Sequence, residues 1–144
     1  MKTKLTLSRV SGIFLFTSLV FSACERYEEG PDISLTPRSE RVANTWTITR
    51  AVENNQDVTH QYNRYELYLT QEGAAELDAD YTLLGVDYTF VTQGTWHFTD
   101  GENNLLLDFE EDSQDAEYVI LKLTEDEMWL RKVGEGTELY LGEK

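Results

Sequence analysis

The chain has 144 residues, with 12 Lys or Arg against 27 Asp or Glu and a net charge of −15, a length that fits one domain. Lys2, Lys4 and Arg9 stand in the first 23 residues with no acid among them, so residues 24–144 carry 9 basic and 27 acidic side chains, a net charge of −18, which excludes phosphate-driven binding to nucleic acid and adsorption to an anionic membrane face. One Cys excludes an internal disulfide scaffold and a multi-Cys metal site, and 40% hydrophobic with 12% aromatic residues argue against disorder.

Residues 1–23 read as an export signal. Met1 to Arg9 is a positive segment, and Val10 to Val20 is an apolar run too short to span a bilayer. The competing reading is a buried core helix, but no polar residue interrupts the run on a helical period. Small residues follow, and then Phe21-Ser22-Ala23-Cys24, which holds the sole Cys of the chain. This boundary resembles the lipobox of bacterial lipoproteins, with Phe21 where the family prefers Leu. The resemblance implies cleavage before Cys24, a diacylglycerol on its thiol and an acyl group on its new amino end. One acyl chain holds a protein only marginally, so such a double modification has a physical reason. The membrane would then be a partner through lipidated Cys24, and the address would be the cell envelope. Plain secretion with Cys24 as a free thiol is the alternative.

Residues 24–38 read as a flexible tether. Glu25 to Thr36 is poor in apolar residues and interrupted by Gly30 and Pro31; fully extended, twelve residues reach about 40 Å. Glu25, Glu28, Glu29 and Asp32 follow the Cys closely. They resemble the acidic tract that sends lipoproteins of Bacteroidota-type bacteria to the outer face of the outer membrane; solvated linker charge is the other reading. Thr36 as cap and Pro37 as first helical residue predict a short helix over Arg38 to Val42, placed to cover the mouth of a barrel.

From Trp46 onward the pattern is period two with turn punctuation. Trp46 and Ile48 alternate with Thr45, Thr47 and Thr49; Tyr65, Leu67 and Leu69 with Glu66, Tyr68 and Thr70; Trp96 and Phe98 with Thr95, His97 and Thr99. Leu105, Leu107 and Phe109 share a face, as do Val119, Leu121 and Leu123, then Met128 and Leu130, then Leu139 and Leu141. Ala74 to Val91 is ambiguous, with one or two strands, Tyr88 to Thr92 the clearest. Asp100-Gly101 suits a two-residue hairpin turn, and Gly134-Glu135-Gly136 another turn. The fold class predicted is all-β: an antiparallel meander of about eight short strands closed into a small barrel over residues 39–144, since closure removes exposed edges.

Three segments in order resemble the lipocalin-like domains of small bacterial lipoproteins. Asn44-Thr45-Trp46 falls where those domains carry Gly-x-Trp. Gly94-Thr95-Trp96 with Leu105 to Phe109 resembles their mid-domain hairpin, and Leu123 to Leu130 their late hairpin. The helix that follows the barrel in that family and the disulfides of its secreted animal members have no counterpart. The resemblance implies a lipocalin-like barrel of about eight strands that binds a small apolar or amphipathic ligand.

Signals for catalysis are thin. His60 lies in a polar stretch and His97 on an outward face, so they do not form a histidine metal site, and no phosphate loop, nucleophile elbow or zinc-binding helix motif occurs. Asp108, Glu110, Glu111, Asp112, Asp115 and Glu117 form a dense acidic run. It reads as a solvated hairpin tip, with acid-pair glycoside hydrolysis the remote alternative. It and Asp78-Ala79-Asp80 lack the spacing of a calcium loop. No enzyme, metal or cofactor is expected. The candidate barrel lining is Trp46, Ile48, Tyr65, Leu67, Leu69, Trp96, Phe98, Leu121, Met128, Leu130 and Leu139. An eight-stranded barrel is either filled by such side chains or open for one small ligand; the second case requires an enclosed apolar cavity of about 300 Å³ or more. The other functional reading is a non-enzymatic module that docks to an envelope protein through the outward aromatics Tyr68, Trp129 and Tyr140.

Overall fold

The computed structural model describes residues 35–144. Residues 1–23, read as an export signal, Cys24, and the part of the expected tether up to residue 34 lie outside the described residues. A helix, α1 (Arg38–Val42), is followed by β1 (Thr45–Glu53), the two-residue β2 (Gln56–Asp57), β3 (Tyr62–Leu69), β4 (Ala74–Leu83), β5 (Val86–Thr99), β6 (Asn104–Phe109), β7 (Ala116–Leu123), β8 (Glu127–Lys132) and β9 (Thr137–Glu143). Every pairing is antiparallel, and neighbours in space follow chain order apart from β2. β9 returns to β1, with Trp46 opposite Glu143 and Ala51 opposite Leu139. Eight strands thus close into a barrel, and β2 forms a small arm on the end of β1. Closure gives β1 and β9 partners on both sides, which an open sheet would deny them.

Alternation puts one apolar set inside. Trp46, Leu67, Leu69, Leu105, Leu107, Met128, Leu130 and Leu141 are almost wholly buried. Three bulges set the phase elsewhere, one of them at Asn63, which has no partner between Tyr62 and Arg64. Thr49 has no partner between Ile48 and Arg50, so the inward series passes from Trp46 and Ile48 to Ala51. Leu121 has none between Ile120 and Lys122, so Ala116, Tyr118 and Ile120 face inward before the bulge and Leu123 after it. This corrects the predicted inward set Val119, Leu121 and Leu123: Leu121 is the half-buried bulge residue and Val119 points out. An extra residue reverses the faces that strict alternation assigns.

The strands are not uniformly short. β4 has 10 residues and β5 has 14, paired from Leu83↔Val86 to Ala74↔Thr95. The two-residue turn is Leu84-Gly85, both with positive φ (52° and 76°). At Asp100-Gly101 the link is instead four residues, because Asp100, Gly101 and Glu102 all adopt positive φ and strand pairing resumes only at Thr99↔Asn104.

One end of the barrel is plugged. α1 lies there with Val42 buried, and Arg41 Nη1 donates to the Leu123 carbonyl. The indole of Trp46 donates to the Val42 carbonyl at 2.9 Å, and that of Trp96 to the Thr70 carbonyl at 2.8 Å. Each large ring therefore fills the core and satisfies a main-chain acceptor at the same end. Thr36 does not cap α1; Pro37 holds the cap position, and the Thr36 hydroxyl donates to Glu125 Oε1 at 2.9 Å on the β7–β8 turn. The chain thus enters at the plugged end. The opposite end carries the β1–β3, β4–β5, β6–β7 and β8–β9 links and stays open.

Candidate functional site

The open end leads into a cavity of about 240 Å³. Its floor is apolar: Leu77 from β4, Leu107 from β6 and Leu139 from β9, with Val58 and Phe109 higher on the wall. Four tyrosines define its character. Tyr62 and Tyr65 come from β3, Tyr81 from β4 and Tyr118 from β7. Tyr62 stacks edge-on against Tyr81 with centroids 5.1 Å apart, and against Tyr65 at 6.2 Å. Such edge-to-face geometry holds rings in fixed orientations. The Tyr81 hydroxyl donates to Gln114 Oε1 at 3.4 Å, tying β4 to the β6–β7 link.

The rim is polar. Glu53, Asp115 and Glu135 stand on it with one cation, Lys132, which pairs with Glu135 at 3.0 Å. The Asp115 carboxylate accepts the Phe109 N–H at 2.7 Å and so fixes the end of β6. With three acids to one base, the rim disfavours an anionic guest and suits a neutral or cationic one.

The tyrosine hydroxyls stay protonated. Burial pushes Tyr65 far above its ordinary value, with Tyr118, Tyr81 and Tyr62 adding to the effect. Burial likewise raises Tyr118 and Tyr81, with Tyr62 contributing to both, and it raises Tyr62 with help from Glu53. The cavity therefore presents hydroxyl donors, not phenolates. Unfolded tyrosines ionise near pH 10 while these keep their protons, so above that pH the unfolded state holds fewer protons and folding stability falls. We expect stability to be insensitive to tyrosine titration below about pH 10 and to decline above it. Near-ultraviolet absorbance should show these tyrosines ionising together with loss of the near-ultraviolet dichroism. Ionisation of every tyrosine near 10 in an intact fold would contradict this.

Of the predicted lining residues, Tyr65 and Leu139 border the cavity. Trp46, Leu67, Leu69, Trp96, Met128 and Leu130 face inward and are buried in the packed core. Phe98 and Ile48 are half-buried and pack against that core, Phe98 edge-on to Trp96 at 5.4 Å, and Leu121 sits in its bulge. The barrel is thus filled in its plugged half and open only at the mouth. The cavity is smaller than the 300 Å³ mark, and it is open and part polar rather than enclosed and apolar. Tyr62, Tyr81 and Tyr118 were not among the predicted lining.

The remaining candidates have local roles. His60 and His97 are exposed. Asp78 and Asp80 both hold Arg64, at 2.6 and 3.2 Å. Glu117 accepts from Thr99 at 2.6 Å and Asn104 at 3.0 Å, and these bonds lower its pKa. Among the described residues no group of three or more His, Cys, Asp and Glu is placed to hold a metal, and no helix is long and apolar enough to cross a membrane. The outward aromatics do not form one patch. Trp129 and Tyr140 stack on each other at 5.2 Å, with Lys122 over the first ring and Arg50 over the second. Tyr68 stands apart on β3.

No protein-family model matches the chain, and no curated protein does. Among solved structures, the chain is similar to a lipocalin-like protein from Bacteroides uniformis ATCC 8492, with 12% identity and a TM-score of 0.50, over 72% of this chain and 99% of that one. At this identity the likeness speaks to architecture alone, and what it shows is a lipocalin-like β-barrel.

Proposed function

We propose that the barrel is a binding module for a small, neutral or cationic, amphipathic molecule of one or two rings, held in the tyrosine-lined mouth. The carrying observation is the convergence of Tyr62, Tyr65, Tyr81 and Tyr118 on a cavity of about 240 Å³. An apolar cavity of about 150 Å³ takes a benzene ring, whereas drug-sized guests occupy about 300–1,000 Å³, so the volume suits a compact guest and not a long acyl chain. The floor would take its apolar face, the tyrosine rings would stack on it or attract its charge, and the hydroxyls would meet its polar end. No step of chemistry is assigned to the site. In this reading the chain is a lipoprotein of the cell envelope, held at the outer membrane by lipidated Cys24. The lipobox-like Phe21-Ser22-Ala23-Cys24 supports the anchor, and the chain's arrival at the plugged end leaves the mouth at the far end from it.

A set of one- and two-ring phenols, amines and carboxylic acids, titrated into the protein and followed through tyrosine ring signals by NMR, tests the reading. Neutral and cationic members are expected to shift Tyr62, Tyr65, Tyr81 and Tyr118 while Trp46 stays still. Thr137→Trp, which puts a large ring on the rim, should weaken binding by ten-fold or more and leave the fold intact. Preferential binding of the carboxylic acids, or shifts confined to the outer surface, would overturn it.

A further inference from the structure

A free sheet edge runs along the outer half of β5. Gly94–Thr99 pair with both β4 and β6 or with β6 alone, but Val86–Val91 pair only with β4. The phase of the ladder identifies the main-chain groups left over. Because the hairpin turns on Leu84 and Gly85 alone, Leu83 and Val86 form a hydrogen-bonded pair, and so do Tyr81 with Tyr88 and Ala79 with Phe90. Asp87, Thr89 and Val91 lie between these and aim their N–H and C=O groups away from β4. Gln93, next in that series, confirms the phase: its carbonyl accepts the Glu110 N–H at 2.8 Å across the edge. Among the described residues nothing pairs with Asp87, Thr89 or Val91 on this side.

Proteins commonly blunt such an edge with Lys, Pro or a bulge. Val86–Val91 has none of these. Instead it is rich in β-branched and aromatic residues, with Val91 69% exposed and Val86 and Tyr88 about half exposed. An open groove of about 300 Å³ runs beside it, between Thr89–Thr92 and the pair Glu110 and Glu111. Asp87, Glu110 and Glu111 stand at this edge, Asp78 and Asp80 beside it on β4 are paired with Arg64, and no cation lines the groove. A second copy would set these acids against their own kind, so the charge fits a strand of opposite sign.

We propose that the free edge of β5 binds an extended segment of another protein as an added strand, one with apolar residues alternating with Lys- or Arg-bearing positions. Main-chain bonds to Asp87, Thr89 and Val91 would give affinity, and the acids would give selectivity. The site shares no lining residue with the tyrosine-lined mouth, which it adjoins through the Tyr81–Phe90 ring contact at 5.6 Å, and it stands whether or not that mouth binds a ligand.

The probes are a capped nine-residue peptide, KVTVKVTVK, and its acidic counterpart, EVTVEVTVE, titrated into the full-length chain at low salt. The basic peptide is expected to bind at least ten-fold tighter and to slow amide exchange at Asp87, Thr89 and Val91. Val91→Pro removes an outward N–H and spares the bonds to β4, so it should weaken binding by ten-fold or more. A double change, Glu110→Lys with Glu111→Lys, should reverse the preference between peptides, and it keeps the test decisive if the proline variant folds poorly. Equal binding of both peptides, protection at another surface, full affinity in a folded Val91→Pro variant, or self-association through this edge in sedimentation without peptide would each overturn the proposal.

Discussion

Trp46→Ala is expected to destabilise the barrel by about 4 kcal/mol, within the range of about 3–5 kcal/mol for removing a buried tryptophan. Trp46 is fully buried, and its indole is the donor to the Val42 carbonyl. Alanine would leave a void at the plugged end and take the donor from a buried acceptor, and α1 would lose the group that ties it to β1. For a domain of this size the melting temperature should fall by roughly 15–25 °C. Trp46→Phe separates the two contributions: it keeps most of the packing and loses the hydrogen bond, so about 1–2 kcal/mol is expected. Chemical denaturation with unchanged slope would measure both. A cost below about 1 kcal/mol for the alanine variant would mean that the plug is not packed as described.

Gly94→Ala should cost about 3 kcal/mol, at the upper end for forcing extra volume into a packed site. Gly94 lies opposite Phe109 where β5 meets β6, and a Cβ there would stand 2.0 Å from the Asp108 carbonyl oxygen and 2.6 Å from the Phe109 Cα. Both are main-chain atoms, so no rotamer change relieves the clash and the strands must part. Amide exchange should quicken first at Asp108, which pairs with Thr95, and at the Glu110 N–H that bonds to Gln93. Because Leu107 and Phe109 also wall the cavity, ligand affinity should fall with stability. Wild-type exchange rates in β6 would contradict this close approach.

Much of the barrel was legible in period-two alternation. β6, β8, β9 and the stretch of β3 from Tyr65 to Leu69 keep strict phase through the residues that set it, Leu67, Leu107, Leu130 and Leu139, and the structure buries all four. Where legibility failed, the cause was local. The Leu121 bulge reversed the faces of β7 and hid Tyr118 from the inward set. β4 alternates Ala75, Leu77 and Ala79 with acids, and two of those three inward residues are too small to announce a buried face. Its inner wall, and Tyr81 with it, could not be read from hydrophobicity. Tyr62 follows the polar stretch of the β1–β3 link and reads as loop until pairing with Tyr81 shows otherwise. The missed signal was the tyrosine itself, an apolar ring with a polar tip that suits the boundary between a core and a wet mouth.

Native mass spectrometry of the protein, gently purified from cells that make it, addresses the tyrosine-lined mouth most directly, with the Thr137→Trp variant prepared in parallel. A compact adduct of one- or two-ring mass on the wild-type chain, released on unfolding and missing from the variant, is the expected result. A long-chain lipid held in the barrel, or the same small adduct on both proteins, would show that the mouth is not the binding site.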